Sequence, residues 1–151
     1  MNRPGGEGEA IVIRRRIPAS RQEVFHAWTD GDGMKAWMCP GDIASADVQL
    51  DPRVGGGLRV LMHGPNGSYE HWGEFIAVER SSKLAFTWCA KVTDFLPTLV
   101  TVEFLDAPDD QCDLVLTHER LPRSEARDQY RGGWVQIVTR LESFLRDRQS
   151  A

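Results

Sequence analysis

Residues 98–119 read TLVTVEFLDAPDDQCDLVLTHE, two runs of β-branched and aromatic residues on either side of the turn Pro108-Asp109-Asp110. Apolar and polar residues alternate in both runs, so Val100, Val102 and Phe104 share one face, and Leu114 and Leu116 share the matching face of the second run. A connection this short makes the strands Thr98 to Asp106 and Gln111 to Glu119 antiparallel neighbours. The hairpin therefore has one apolar face, and that face needs a cover.

Working back toward the N-terminus, the same punctuation recurs. Strands are predicted at Ile43 to Leu50, Gly57 to His63, Tyr69 to Glu79 and Leu84 to Lys91, with turns at Asp51-Pro52, Pro65-Asn66-Gly67 and Arg80 to Lys83. Alternation extends the apolar face through Leu58, Val60 and Met62, then Ile76 and Val78, then Leu84, Phe86 and Trp88. A first strand, Ala10 to Ile17, places Ile11, Ile13 and Ile17 on one side and Arg14 and Arg16 on the other. Together these make a seven-stranded antiparallel meander.

Two short helices interrupt it after the first strand. Ser20-Arg21-Gln22-Glu23 is a capping box, in which the Ser20 hydroxyl and the Glu23 carboxylate each satisfy a backbone amide that the first helical turn leaves open. Val24, Phe25, Ala27 and Trp28 form that helix's apolar face, Thr29 to Gly33 end it, and a second helix carries Met34 and Trp37 up to Pro40 and Gly41.

The cover is the last element, Ser124 to Arg148. Its apolar stripe of Tyr130, Trp134, Ile137, Val138, Leu141 and Leu145 is spaced at threes and fours. Ser124 is placed to cap, Glu125 and Asp128 suit the positive helix end, and Arg146 and Arg148 suit the negative one. Gly132 and Gly133 sit inside this helix at a cost of about 1 kcal/mol each relative to alanine, which implies the close approach of a strand or a ligand. The layout is α+β, with an N-terminal arm over residues 1–9 that is expected to be flexible and a single domain over residues 10–151.

Composition narrows the function. A net charge of −4 and a pI near 5.5 leave no surplus of Lys and Arg for a nucleic-acid backbone. No stretch approaches the ~18 apolar residues of a membrane span, so no membrane insertion is expected. Cys39, Cys89 and Cys112 form no CxxC pair, which points to a reducing cytoplasm rather than a disulfide framework or zinc knuckle. His63 and His71 flank one hairpin turn, but His63 falls in the outward phase and no metal-ligand spacing appears. No P-loop, nucleophile elbow or dinucleotide fingerprint occurs, so neither a metal nor a nucleotide cofactor is expected.

Several patches in the same order resemble the branch of the START and polyketide-cyclase superfamily named after the activator of the ninety-kilodalton heat-shock protein's ATPase. They are Arg15 to Ser20 leading into Val24-Phe25-His26-Ala27-Trp28, Trp37 with Pro40, Asp51-Pro52-Arg53-Val54-Gly55-Gly56, Leu84-Ala85-Phe86-Thr87-Trp88, and Leu114 to Glu119. Leu58-Arg59, then Gly64-Pro65-Asn66-Gly67, follow the glycine corner in register, and Gly133-Trp134 with Leu141 is similar to the family's terminal helix. The resemblance covers Ile11 to about Leu145 and departs at Tyr130, where the family often has histidine.

The resemblance implies a helix-grip fold: a curved sheet wrapped around the C-terminal helix with a cavity between them. In this layout the cavity would be lined by Val60, Met62, Trp88, Val102, Phe104, Leu116, His118, Tyr130, Trp134 and Val138, a set suited to a small apolar or aromatic molecule. A second reading is an enzyme acting on a polyketide-like or aromatic substrate, with His118 and Glu74 as acid and base. A third is a co-chaperone-like interaction module. Phe75, out of phase with the inward set, offers a contact for a homodimer.

Overall fold

Alternation in the sequence becomes alternation in burial. In the computed structural model, which describes residues 10–150, strand β1 (Ile11–Ile17) buries Ile11, Ile13 and Ile17 and exposes Arg14 and Arg16. The arm expected over residues 1–9 lies outside the described residues. Helices α1 (Arg21–Thr29) and α2 (Gly31–Met34) follow, then β2 (Ser45–Leu50), β3 (Gly57–Gly64), β4 (Gly67–Glu79), β5 (Lys83–Trp88), β6 (Thr98–Ala107), β7 (Gln111–Glu119) and α3 (Ser124–Ser150). The capping box is formed: Glu23 N donates to Ser20 Oγ at 3.2 Å, and Ser20 N donates to the Glu23 carboxylate at 3.0 Å.

The strands make one seven-stranded antiparallel sheet in the order β1-β7-β6-β5-β4-β3-β2. Strand β4 is 13 residues long, and its two halves have different partners. Gly67 to Glu74 pair with β3, whereas Phe75 to Glu79 pair with β5. Where the sheet curls at this handover, β4 and β5 come so close that a Cβ on Gly73 would stand 1.8 Å from the Thr87 carbonyl oxygen. The obstacle is backbone and cannot swing aside. Gly73→Ala is therefore expected to cost about 3 kcal/mol, as overpacking does when the neighbour cannot yield. Urea unfolding at neutral pH checks it. Gly56 in the β2–β3 connection is held to glycine in the same way, since its Cβ would lie 2.0 Å from the Asp51 carbonyl oxygen.

The inward set is buried as expected on β3, β5, β6 and β7: Leu58, Val60, Met62, Leu84, Phe86, Trp88, Val100, Val102, Phe104, Leu114 and Leu116 are all at most 5% exposed. Strand β4 departs from the expectation. A bulge between Phe75 and Ala77 inserts Ile76 as an extra residue, which reverses the phase of everything before it. Phe75 is 1% exposed and packs edge-on to Phe86, so it offers no surface for a second copy. Ile76 is 49% exposed instead, while Val78, beyond the bulge, packs on the core as expected. Strand β5 also ends earlier than expected, at Trp88, and gives way to a short 3-10 turn over Lys91–Thr93.

Helix α3 covers the curled face with Tyr130, Trp134, Ile137, Val138, Leu141 and Leu145, and Arg15 ties it to β1 through Glu142 and Thr139 at 2.8 Å each. Trp28 and Trp37, from α1 and from the turn after α2, fill the middle of the space between sheet and helix. Their ring centroids are 4.9 Å apart, and Trp28 lies 6.4 Å from Trp134. Among the described residues, the room left beside Trp28, Met34, Met38 and Trp88 is about 10 Å³, roughly one water molecule.

Candidate functional site

With its centre filled, the grip is open at one end. There, the β3–β4 hairpin, the chain from Trp88 to Phe95 and the N-terminal half of α3 enclose a cleft of about 510 Å³. Met62 and His71 enter from the sheet, Tyr130, Gly133, Trp134 and Ile137 from α3, and Trp88 forms an aromatic wall. Pro40 and Ile43 close the side beyond α2. At the mouth, the rings of Trp72 and Phe95 stack with centroids 6.0 Å apart, and the exposed side chains of Asp42, Glu70 and Lys91 bring formal charge only to the rim. Glu70 is engaged by Arg59 at 2.6 Å.

Of the residues expected to line a cavity, the structure brings Met62, Trp88, Tyr130 and Trp134 to the cleft. Val60, Val102, Phe104, Leu116 and Val138 do not reach it; each is 0% exposed within the packed core. Glu74 precedes the β4 bulge and is therefore exposed on the outer face, apart from His118. His71, Trp72, Phe95 and Ile137 belong to the cleft without having been expected there. For His71 the sequence did contain the signal: the two-residue turn Pro65-Asn66 sets a register that pairs His71 with inward-facing Val60. Counting forward from the hairpin places it inward, whereas counting back from Val78 crosses the bulge.

His118 stands one layer behind the cleft wall, and its hydrogen bonds define its state. Trp134 Nε1–H can only donate, and it meets His118 Nδ1 at 2.9 Å. Nδ1 therefore carries the lone pair and Nε2 the proton, which is donated to Thr98 Oγ1 at 2.7 Å. Thr98 in turn donates to the Trp88 carbonyl at 2.6 Å. The chain runs in one direction and satisfies every member. Burial, reinforced by His71, pushes the His118 pKa down to about 3, so the ring is neutral. Both nitrogens are committed, and no proton or lone pair remains for a substrate.

His71 differs. Its ring stacks on Trp88, with centroids 4.7 Å apart and planes at 24°, and its Nε2 lies 3.0 Å from Tyr130 Oη. Burial lowers its pKa to about 4, and burial, with a contribution from Cys89, raises that of the Tyr130 phenol. Both groups are thus neutral at pH 7. Two backbone positions in the left-handed region, Asp94 and Phe95, set the path of the chain at the mouth, and Arg123, the residue before α3, donates to the Val92 carbonyl at 2.9 Å. Among the described residues, no three His, Cys, Asp or Glu side chains come together as a metal site. No described helix is long and apolar enough to cross a membrane.

A curled antiparallel sheet closed over a long C-terminal helix, with a cleft at the open end, defines the helix-grip class. The chain belongs to the family described as "Activator of Hsp90 ATPase homolog 1-like protein", whose sequence profile matches residues 18–146. Solved structures agree on the fold. A protein from Rhodobacter sphaeroides superposes with a TM-score of 0.80 at 21% identity, covering 95% of this chain and 96% of that one. One from Nitrosomonas europaea gives 0.78 at 19% identity, covering 94% and 97%. An AHSA1 protein from Silicibacter pomeroyi gives 0.76 at 22% identity, covering 93% and 99%. No match to this sequence was found among curated proteins.

Proposed function

We propose that this protein binds a small, largely apolar or aromatic molecule in the cleft between the β3–β4 hairpin and the N-terminal half of α3. The observation that carries the reading is the cleft itself: about 510 Å³, within the range of small-molecule sites, with indole and phenol walls and formal charge confined to its rim. Membership of a family whose members typically bind hydrophobic ligands supports it. Three buried, unpaired cysteines, Cys39, Cys89 and Cys112, support residence in a reducing compartment.

Gly133 supplies the test. A Cβ placed there meets only Pro40, at 3.8 Å, so the glycine accommodates no strand, and the space beside it is part of the cleft. Gly132 has no atom within 4 Å of such a Cβ. Gly133→Leu is expected to fill the cleft while raising helix propensity, so a naphthalene-type probe followed by fluorescence should bind at least about tenfold more weakly to a protein that is no less stable. Undiminished binding by a folded Gly133→Leu variant would remove the cleft as the site.

A further inference from the structure

A sheet normally leaves backbone groups unpaired only along its two outer strands. This sheet also has an open stretch inside it. Strands β4 and β5 pair over Phe75 to Glu79, and a single bridge, Trp72 with Cys89, carries the ladder further. By then β5 has ended at Trp88, and the chain turns at Ala90 into the 3-10 turn. The first half of β4 therefore keeps β3 on one side and, among the described residues, pairs with no strand on the other beyond that bridge.

The ladder decides which backbone groups face the opening. Trp72 N donates to the Cys89 carbonyl at 3.1 Å and Cys89 N to the Trp72 carbonyl at 2.8 Å, so Trp72 turns its N–H and C=O away from β3. Alternate residues of a strand turn these groups the same way, which gives Glu70 the same orientation. Five consecutive residues, Ser68 to Trp72, border the cleft, whereas a strand showing it one face would contribute every second residue. The edge of β4 thus looks into the cleft, and Glu70 on it is exposed.

We propose that the backbone N–H and C=O of Glu70 are the hydrogen-bonding edge of the cleft, and that its occupant is a planar aromatic molecule with a donor and an acceptor side by side, as in an aromatic lactam. This rests on the reading of the cleft as a binding site and adds the chemistry of its occupant. In the free protein both groups face solvent. A molecule that fills the cleft covers them, and it either replaces the hydrogen bonds that solvent supplied or leaves a backbone donor and acceptor unpaired. An extended residue points its N–H and C=O the same way, as it does when it exchanges both with a neighbouring strand. A carboxylate or a ketone accepts without donating, and an open-chain trans amide shows its donor and acceptor on opposite sides. A lactam ring holds the amide cis and shows both on one side. The walls of Trp88, Trp134 and Tyr130 suit a flat aromatic ring fused to it.

The experiment titrates the full chain at pH 7 with the bicyclic lactam carbostyril, with N-methylcarbostyril and with naphthalene. Carbostyril is expected to bind about tenfold more tightly than N-methylcarbostyril, which keeps the acceptor but has lost the donor. In ¹H–¹⁵N spectra of the unaltered protein, the Glu70 amide resonance should move downfield on saturation with carbostyril and move less with naphthalene. Glu70→Pro removes this N–H at a position where no strand uses it, and there the affinity for carbostyril relative to naphthalene should fall about tenfold.

Equal binding of the two lactams, a Glu70 amide resonance that stays still while carbostyril saturates the cleft, or a folded Glu70→Pro variant with an unchanged ratio overturns the inference and leaves the cleft reading standing. Binding of none of the three probes overturns both.

Discussion

Replacing His118 with alanine is expected to remove about 3 to 5 kcal/mol of folding stability. The side chain is 0% exposed, so its removal opens a hole in a packed interior. It also takes away the acceptor for Trp134 Nε1, and an indole N–H left unpaired in the core retains its full desolvation cost. His118→Phe separates the two effects: the ring volume is kept, the acceptor is lost, and the expected loss falls to about 2 kcal/mol. Guanidinium unfolding measures both. A catalytic histidine would behave in the opposite way, because its removal abolishes turnover and spares the fold.

Mild acid is expected to destabilise this protein through two imidazoles, His71 and His118. His71 and His118 have folded pKa values of about 4 and about 3, below the ordinary 6.5 of an unfolded chain. Below about pH 6.5 the unfolded state therefore takes up protons that the folded state refuses, and stability falls as pH falls. The stability is fully present above 6.5 and drains away toward the two folded values, at roughly 1 kcal/mol per pH unit for each histidine. Between pH 7 and pH 4.5 the loss should reach roughly 4 kcal/mol. Asp47 and Asp113, held low by hydrogen bonds from His63 and Arg16, act below the ordinary carboxylate value and so outside this window. Urea unfolding across that range checks the slope, which should be about halved in His71→Phe.

Local signals were sufficient for most of the fold. The capping box at Ser20, the β6–β7 hairpin and the stripe on α3 are each set by neighbours a few residues apart, and each forms where the sequence places it. The phase of β4 was not legible by simple alternation, because one extra residue at Ile76 moves Glu74 outward and brings Phe75 and His71 inward. The position of the cleft was less legible still. Whether room remains between sheet and helix depends on how large rings from distant elements pack, and here Phe25 stands edge-on to Phe104 and Trp28 packs with Trp37 and Trp134, leaving Val102, Phe104 and Leu116 fully buried where they were expected to face a ligand. What survives is the end of the grip, where Gly133 and the early finish of β5 leave space.

The five tryptophans report on that division directly. Trp72, Trp88 and Trp134 line the cleft, whereas Trp28 and Trp37 lie in the packed centre. In ¹H–¹⁵N spectra of the indole N–H groups during a naphthalene titration, the resonances of Trp72, Trp88 and Trp134 should move most, in a saturable way, while those of Trp28 and Trp37 move little. Saturable movement largest at Trp28 and Trp37, or no saturable movement at any of the five, would contradict ligand binding at the open end of the grip.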